Sequence, residues 1–147
     1  MKIDEGEPAL PKPKNEDDYL YRGDQLEPDE VFQNGFKSKG ASDNLLLHSI
    51  DSNNPPSNFI STSPSRDVGK IFATGFYTKP GYLYTLQKIP GHDLKKELGA
   101  LYEFGAEEEI AIRGRIKPED VLGATLIIDD GREFGYSIPN PNRIIKK

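Results

Sequence analysis

The sequence predicts an α+β fold with antiparallel sheets, and three observations carry that expectation. Helix-start signals cluster early in the chain and strand patterns late, an order that segregates helices from sheet. From Tyr82 to Ile89, residues Tyr82, Tyr84 and Leu86 alternate with Leu83, Thr85 and Gln87, the period of a strand. Fourteen Gly and twelve Pro supply the turns that many short strands need.

Element by element, residues 1–18 carry Pro8, Pro11 and Pro13 with mixed charge, which reads as a flexible arm or linker. It fits a C-terminal piece of something longer and an ordinary frayed terminus equally well. Residues 19–147 form the folded domain. Tyr19 to Arg22 reads as a short strand. Pro28 then opens a helix with Asp29 and Glu30 in its first turn, and Gly35 stops it. Asp43 or Asn44 can cap a second helix carrying Leu45, Leu46, Leu47 and His48. Asn58 to Ser63 is the next strand and Ser65 to Ala73 a short helix. After the strand 82–89, residues 92–98 make one or two helical turns. A strand from Glu107 to Ile112, a turn at Pro118-Glu119-Asp120 and a strand from Val121 to Ile128 follow. The tail, with Pro139 and Pro141, reads as an irregular edge segment.

Bulk properties narrow the function. A chain of 147 residues is most simply one domain with a real core, and 35% hydrophobic content with seven Tyr and seven Phe supports a globular fold. The net charge of −5 argues against a general nucleic-acid binder but leaves room for a nucleic-acid substrate in a local basic groove. Without cysteine there is no disulfide or thiolate metal site, and two histidines make a zinc site improbable. No apolar run reaches membrane-spanning length, and the start Met1-Lys2-Ile3-Asp4-Glu5 lacks the apolar core of a secretory signal.

Residues Glu107 to Ile112 read Glu-Glu-Glu-Ile-Ala-Ile. On a strand, Glu107, Glu109 and Ala111 share one face, while Glu108, Ile110 and Ile112 share the other. Two carboxylates on one rigid face suit cleavage of a glycosidic bond through a cation-like sugar. A charged strand start at the surface would show the same pattern.

Five segments, in order, resemble the cholera and pertussis toxin group of mono-ADP-ribosyltransferases. They are Leu20-Tyr21-Arg22-Gly23-Asp24, Val31-Phe32-Gln33-Asn34-Gly35-Phe36, Asn44-Leu45-Leu46-Leu47-His48, Phe59-Ile60-Ser61-Thr62-Ser63, and the Glu-rich strand followed by Gly114, Ile116 and Pro118-Glu119-Asp120. The likeness runs from about residue 19 to residue 124. It implies two packed, mainly antiparallel sheets forming a NAD-binding cleft flanked by short helices. It also implies an enzyme that splits the nicotinamide–ribose bond of NAD and moves ADP-ribose to a nucleophile. NAD is then a co-substrate, and no metal is required.

The resemblance assigns residues, and each type can do its job. Arg22 would hold the dinucleotide, its fork of donors suiting phosphate or backbone oxygens; a structural ion pair with Asp24 is the plainer reading. Ser61 would hydrogen-bond the catalytic glutamate, with Thr62 and Ser63 beside the cofactor. Three small polar residues ending a strand is the alternative. His48 would orient the ribose or the glutamate, or pack as a satisfied core histidine. Glu109 would stabilise the cationic ribose. Glu107 would position the acceptor and help take its proton. An acid at that position accompanies arginine acceptors in the family, and some relatives with Glu-x-Glu act on nucleic acids. Tyr102 and Phe104, between Gly99 and Gly105, match the substrate-recognition loop and could stack on a guanidinium, or fold into the core.

The expected protein is thus a monomeric effector, secreted or injected into a target cell, that modifies a target protein on arginine. A cognate immunity or inhibitor protein would fit that life, and no membrane partner is expected. The alternatives are a same-fold transferase acting on RNA or DNA, and a catalytically silent NAD-binding or interaction module.

Overall fold

The computed structural model describes residues 18–146. The arm expected at 1–18 lies, apart from Asp18, outside the described residues. Nine strands and four α-helices follow in the order β1 (Tyr19–Asp24), α1 (Pro28–Asn34), β2 (Phe36–Lys37), α2 (Leu45–Ile50), β3 (Phe59–Thr62), α3 (Arg66–Ala73), β4 (Gly81–Gln87), β5 (His92–Asp93), α4 (Leu94–Leu98), β6 (Ile110–Arg113), β7 (Arg115–Ile116), β8 (Val121–Ile127) and β9 (Glu133–Pro139).

Three antiparallel sheets organise these strands: β1-β4-β8-β9, β3-β6-β5, and the pair β2-β7. The main core packs Leu20, Tyr84, Leu86, Val121 and Ala124 of the large sheet against Ile60, Ile112 and Ile116 of the smaller ones, with Val31, Phe32 and Phe36 alongside. Tyr84 is fully buried at its centre, and the Phe36 ring meets it edge-on at 5.1 Å. A separate small cluster, Phe59, Leu94, Tyr102 and Ala111, fills the far side of β3 and β6. The expected packing of two antiparallel sheets holds, with β2-β7 as an added ribbon.

Local chemistry explains most boundaries. Asn44 caps α2 by accepting from Leu47 N–H, Ser65 caps α3 through Val68 N–H, and Asp93 caps α4 through Lys96 N–H. Pro28 opens α1 where its missing N–H costs nothing. Gly23 permits close packing of α3 on β1: a Cβ there would fall 2.1 Å from Ala73 N and 2.2 Å from Gly69 O.

Two expectations are corrected. The Glu-rich segment is not a strand from Glu107; Gly105–Glu107 is a 3-10 turn, Glu108 is left-handed at φ 49°, and β6 begins at Ile110. Ala111 packs in the small core, so it does not share a face with Glu107 and Glu109 as strand periodicity would have it. The tail forms a true edge strand, β9, with Pro139 at its last position, where the missing N–H is tolerated.

Candidate active site

One antiparallel bridge assembles the site. Tyr21 and Ser63 exchange backbone hydrogen bonds of 2.7 and 3.0 Å, which ties the middle of β1 to the residue just after β3. In the β3–β6 ladder, Ser61 pairs with Ala111 and Thr62 with Ile110. Together these contacts bring Arg22, Ser61 and the Glu107–Glu109 turn to the wall of one open cleft of about 250 Å³. Thr62 and Ser63 share that wall, and Lys39, Ser52 and the α3 residues Val68 and Phe72 also line the cleft.

Glu109 is the hub. It is 8% exposed, a burial that a carboxylate tolerates only when well hydrogen-bonded. Its Oε2 accepts from Ser61 Oγ at 2.7 Å and lies 2.6 Å from His48 Nε2. Its backbone is fixed as well: the N–H donates to Tyr102 Oη at 3.2 Å, and the carbonyl accepts from Leu94 N–H at 3.1 Å. Among the described residues no group donates to Oε1. His48 is buried, with Nδ1 2.6 Å from Ser57 Oγ.

Arg22 makes the ion pair with Asp24 and also faces the cleft. Nη1 donates to the Ser61 carbonyl at 2.8 Å and Nη2 pairs with Asp24 at 2.8 Å, while the guanidinium lies 5.0 Å from the Phe36 ring centre. It braces Ser61 from behind and still lines the cleft.

Glu107 reaches the cleft from the 3-10 turn. Burial, and then the nearby Glu109 charge, raise its pKa above the ordinary carboxylate value. The Ser63 hydroxyl holds this turn by donating to the Glu107 carbonyl at 2.8 Å, and Thr62 Oγ1 donates to the Ile110 carbonyl at 2.7 Å. Thr62 and Ser63, both buried, line the same cleft while their hydroxyls tie down the backbone of the acidic segment.

Of the two loop aromatics, Tyr102 is only 7% exposed and packs on Phe59, Leu94 and Ala111. Its hydroxyl accepts from the Glu109 N–H at 3.2 Å, which makes it a support for the Glu109 backbone. Phe104 is 44% exposed on the turn leading to Glu107. Arg66, on the helix after Ser63, is held in a double hydrogen bond by Glu133 at 2.6 and 2.7 Å.

Sequence reasoning missed Ser57, which touches His48. A serine four residues before Ser61 has no pattern of its own, and only the loop between α2 and β3 brings it beneath the imidazole. The only available signal was its neighbourhood to the strand that carries Ser61.

Among the described residues no group of three or more His, Asp or Glu side chains could hold a metal ion, and no helix is long and apolar enough to cross a membrane.

A family model described as Scabin-like matches residues 20–142. A guanine-specific ADP-ribosyl transferase of Streptomyces coelicolor is 30% identical over 105 residues, covering 71% of this chain and 49% of that one. A pertussis toxin subunit 1 homolog of Bordetella parapertussis is 40% identical over 57 residues, 36% of this chain and 21% of its own length. The chain thus spans about half the length of the first of these curated relatives and about a fifth of the second. Among solved structures, the Scabin toxin of Streptomyces scabies in complex with NADH superposes with a TM-score of 0.71 at 26% identity, over 88% of this chain and 77% of that one. A guanine-specific ADP-ribosyltransferase superposes at 0.73 with 24% identity, over 88% and 79%.

Proposed function

This chain belongs to the Scabin-like family, within the toxin-like mono-ADP-ribosyltransferases, and on that premise we propose that it cleaves NAD and transfers ADP-ribose to a guanine base. The observation that carries the reading is the double clamp on Glu109 Oε2 by Ser61 and His48 inside the Arg22-lined cleft. With Oε2 occupied, Oε1 is the face that accepts from the ribose 2′-OH. As the C1′–N bond breaks, its electron pair leaves with nicotinamide, which becomes neutral, and the fixed carboxylate charge stabilises the cationic ribose. Arg22 offers positive charge to the dinucleotide phosphates in the same cleft.

The acceptor then attacks C1′ and loses a proton. Guanine presents N1–H and its exocyclic amino group as two parallel donors, the arrangement a carboxylate accepts best. Glu107 suits that role: its raised pKa makes it a better proton acceptor than an ordinary surface carboxylate. The guanine-specific activity named for the Streptomyces coelicolor relative supports this choice. Arginine, first in the sequence reading, stays as the second reading because its guanidinium carries the same pair of donors and Glu107 would accept them equally. A toxin role, exercised on the contents of a target cell, fits the relatives' names.

Labelled NAD, offered together with guanosine, DNA and a protein lysate, tests the reading. Label is expected on guanine, with Glu109→Gln lowering NAD cleavage about 10²–10³-fold, the scale of losing one pre-placed charge stabiliser. Label confined to protein arginine would transfer the assignment to the second reading. Intact NAD after incubation with wild-type protein would reject both.

A further inference from the structure

Ser57 lies outside every motif, yet it is 1% exposed and fixed on three sides. Its N–H donates to the Ser52 carbonyl at 2.9 Å, its carbonyl accepts from Gly40 N–H at 3.0 Å, and its Oγ accepts from Phe59 N–H at 2.9 Å. The same Oγ is 2.6 Å from His48 Nδ1, and on the other edge of the ring Nε2 is 2.6 Å from Glu109 Oε2.

Hydrogen counting fixes the direction of this chain. An ionised carboxylate only accepts, so the Nε2–Glu109 contact needs its hydrogen on Nε2. Phe59 N–H occupies one lone pair of Ser57 Oγ, and the serine hydrogen is free to point at Nδ1, which is an acceptor in that tautomer. Each donor then meets one acceptor, from Phe59 N–H through Ser57 and His48 to Glu109. With the hydrogen on Nδ1 instead, the Nε2 lone pair would face a carboxylate oxygen at 2.6 Å. A doubly protonated ring would fill both lone pairs of Ser57 Oγ and strand the serine hydrogen in a site that water does not reach.

We propose that Ser57 is a positioning residue that selects the Nε2–H tautomer of His48 and so keeps Glu109 Oε2 saturated and Oε1 turned to the substrate. The inference rests on the reading of Glu109 as the group that acts on NAD. It is the logic by which the second nitrogen of a functional imidazole is held by an outer partner that sets its tautomer. Ser61 supplies the other donor to Oε2, so loss of Ser57 weakens the clamp without emptying it.

The test begins with the wild-type chain carrying 15N-labelled histidine. It has two imidazoles, so a His92→Asn variant assigns the His48 signals. The expected spectrum has Nε2 protonated and Nδ1 bare; a protonated Nδ1 overturns the proposal whatever the activity. In Ser57→Ala the single-tautomer signature is expected to dissolve. NAD cleavage should fall in kcat by about 10–100-fold, the usual loss when a functional histidine loses its outer partner, with KM for NAD within about twofold. Ser57→Thr keeps the hydroxyl and should recover the signature and most of kcat. A folded Ser57→Ala with unchanged kcat, or with a change in KM alone, overturns the proposal. If Ser57→Ala does not fold, the wild-type ring spectrum decides by itself. Should wild-type protein leave NAD intact, the transferase reading fails, and the spectrum still reports the tautomer.

Discussion

Tyr102→Phe separates a tyrosine that recognises substrate from one that holds the acidic turn. The substitution keeps the ring, hence its packing on Phe59, Leu94 and Ala111, and deletes only the oxygen that accepts from Glu109 N–H at 3.2 Å. Burial pushes the Tyr102 hydroxyl up to about 12, so it remains a phenol through any ordinary assay range. The orphaned N–H is buried, and stranding such a donor costs about 1–3 kcal/mol, the long contact favouring the lower half of that range. For a chain of this size each kcal/mol lowers Tm by about 2–4 °C. A Tm loss of about 2–8 °C is therefore expected in a thermal unfolding scan. Because the freed backbone carries Glu109, kcat for NAD cleavage should also fall, by about 3–10-fold if up to 1.4 kcal/mol of the loss appears in the transition state. KM for the acceptor should stay put. An unchanged Tm and kcat with weaker acceptor binding would refute the reasoning and restore Tyr102 to the recognition surface.

Other variants probe the charges around the cleft. Glu107 has a raised pKa in the fold, so its contribution is most favourable at acid pH and is lost as pH rises through that raised value; Glu107→Gln should therefore stabilise the protein at pH 7, with the gain vanishing below the ordinary carboxylate range. The same variant should lose transfer to guanine while Glu109-dependent NAD hydrolysis persists; lower stability at neutral pH, or loss of both activities, would contradict the assignment. Glu133 shows the opposite sign: hydrogen bonds from Arg66 hold its carboxyl down at about 2. Its stabilisation is present above the ordinary carboxylate value and is lost as pH falls towards about 2. Since the pair is more than a third exposed, Glu133→Gln should cost only about 0.5–1 kcal/mol at pH 7. The wild-type and variant unfolding curves should converge at the acid end, and a gap that persists there would argue against the linkage.

The sequence was most legible where one residue type does one local job. Pro28 announced its helix and the pair Asp43-Asn44 the next, of which Asn44 is the cap, because capping and a fixed φ act within a single turn. The strand at Gly81–Gln87 followed from its alternation. Strands of two residues, β2, β5 and β7, are too short to carry any period. The edge strand β9 was hidden by its glycine and proline and exists because β8 offers it a partner. The Glu-rich stretch misled in an instructive way. Its Ile-Ala-Ile end is strand, but the left-handed Glu108 breaks the period, so the shared location of Glu107 and Glu109 comes from a turn and not from strand geometry.

By itself the sequence determined the alphabet of the site, an arginine, a hydroxyl, an imidazole and two carboxylates in family order, because those identities are written in the chain. Tertiary structure decided their offices. The Tyr21–Ser63 bridge and the β3–β6 register set which groups touch. Burial then turned Tyr102 inward beneath the Glu109 backbone and placed Ser57 beneath His48. Such contacts span dozens of residues, and no local propensity encodes the packing that closes them.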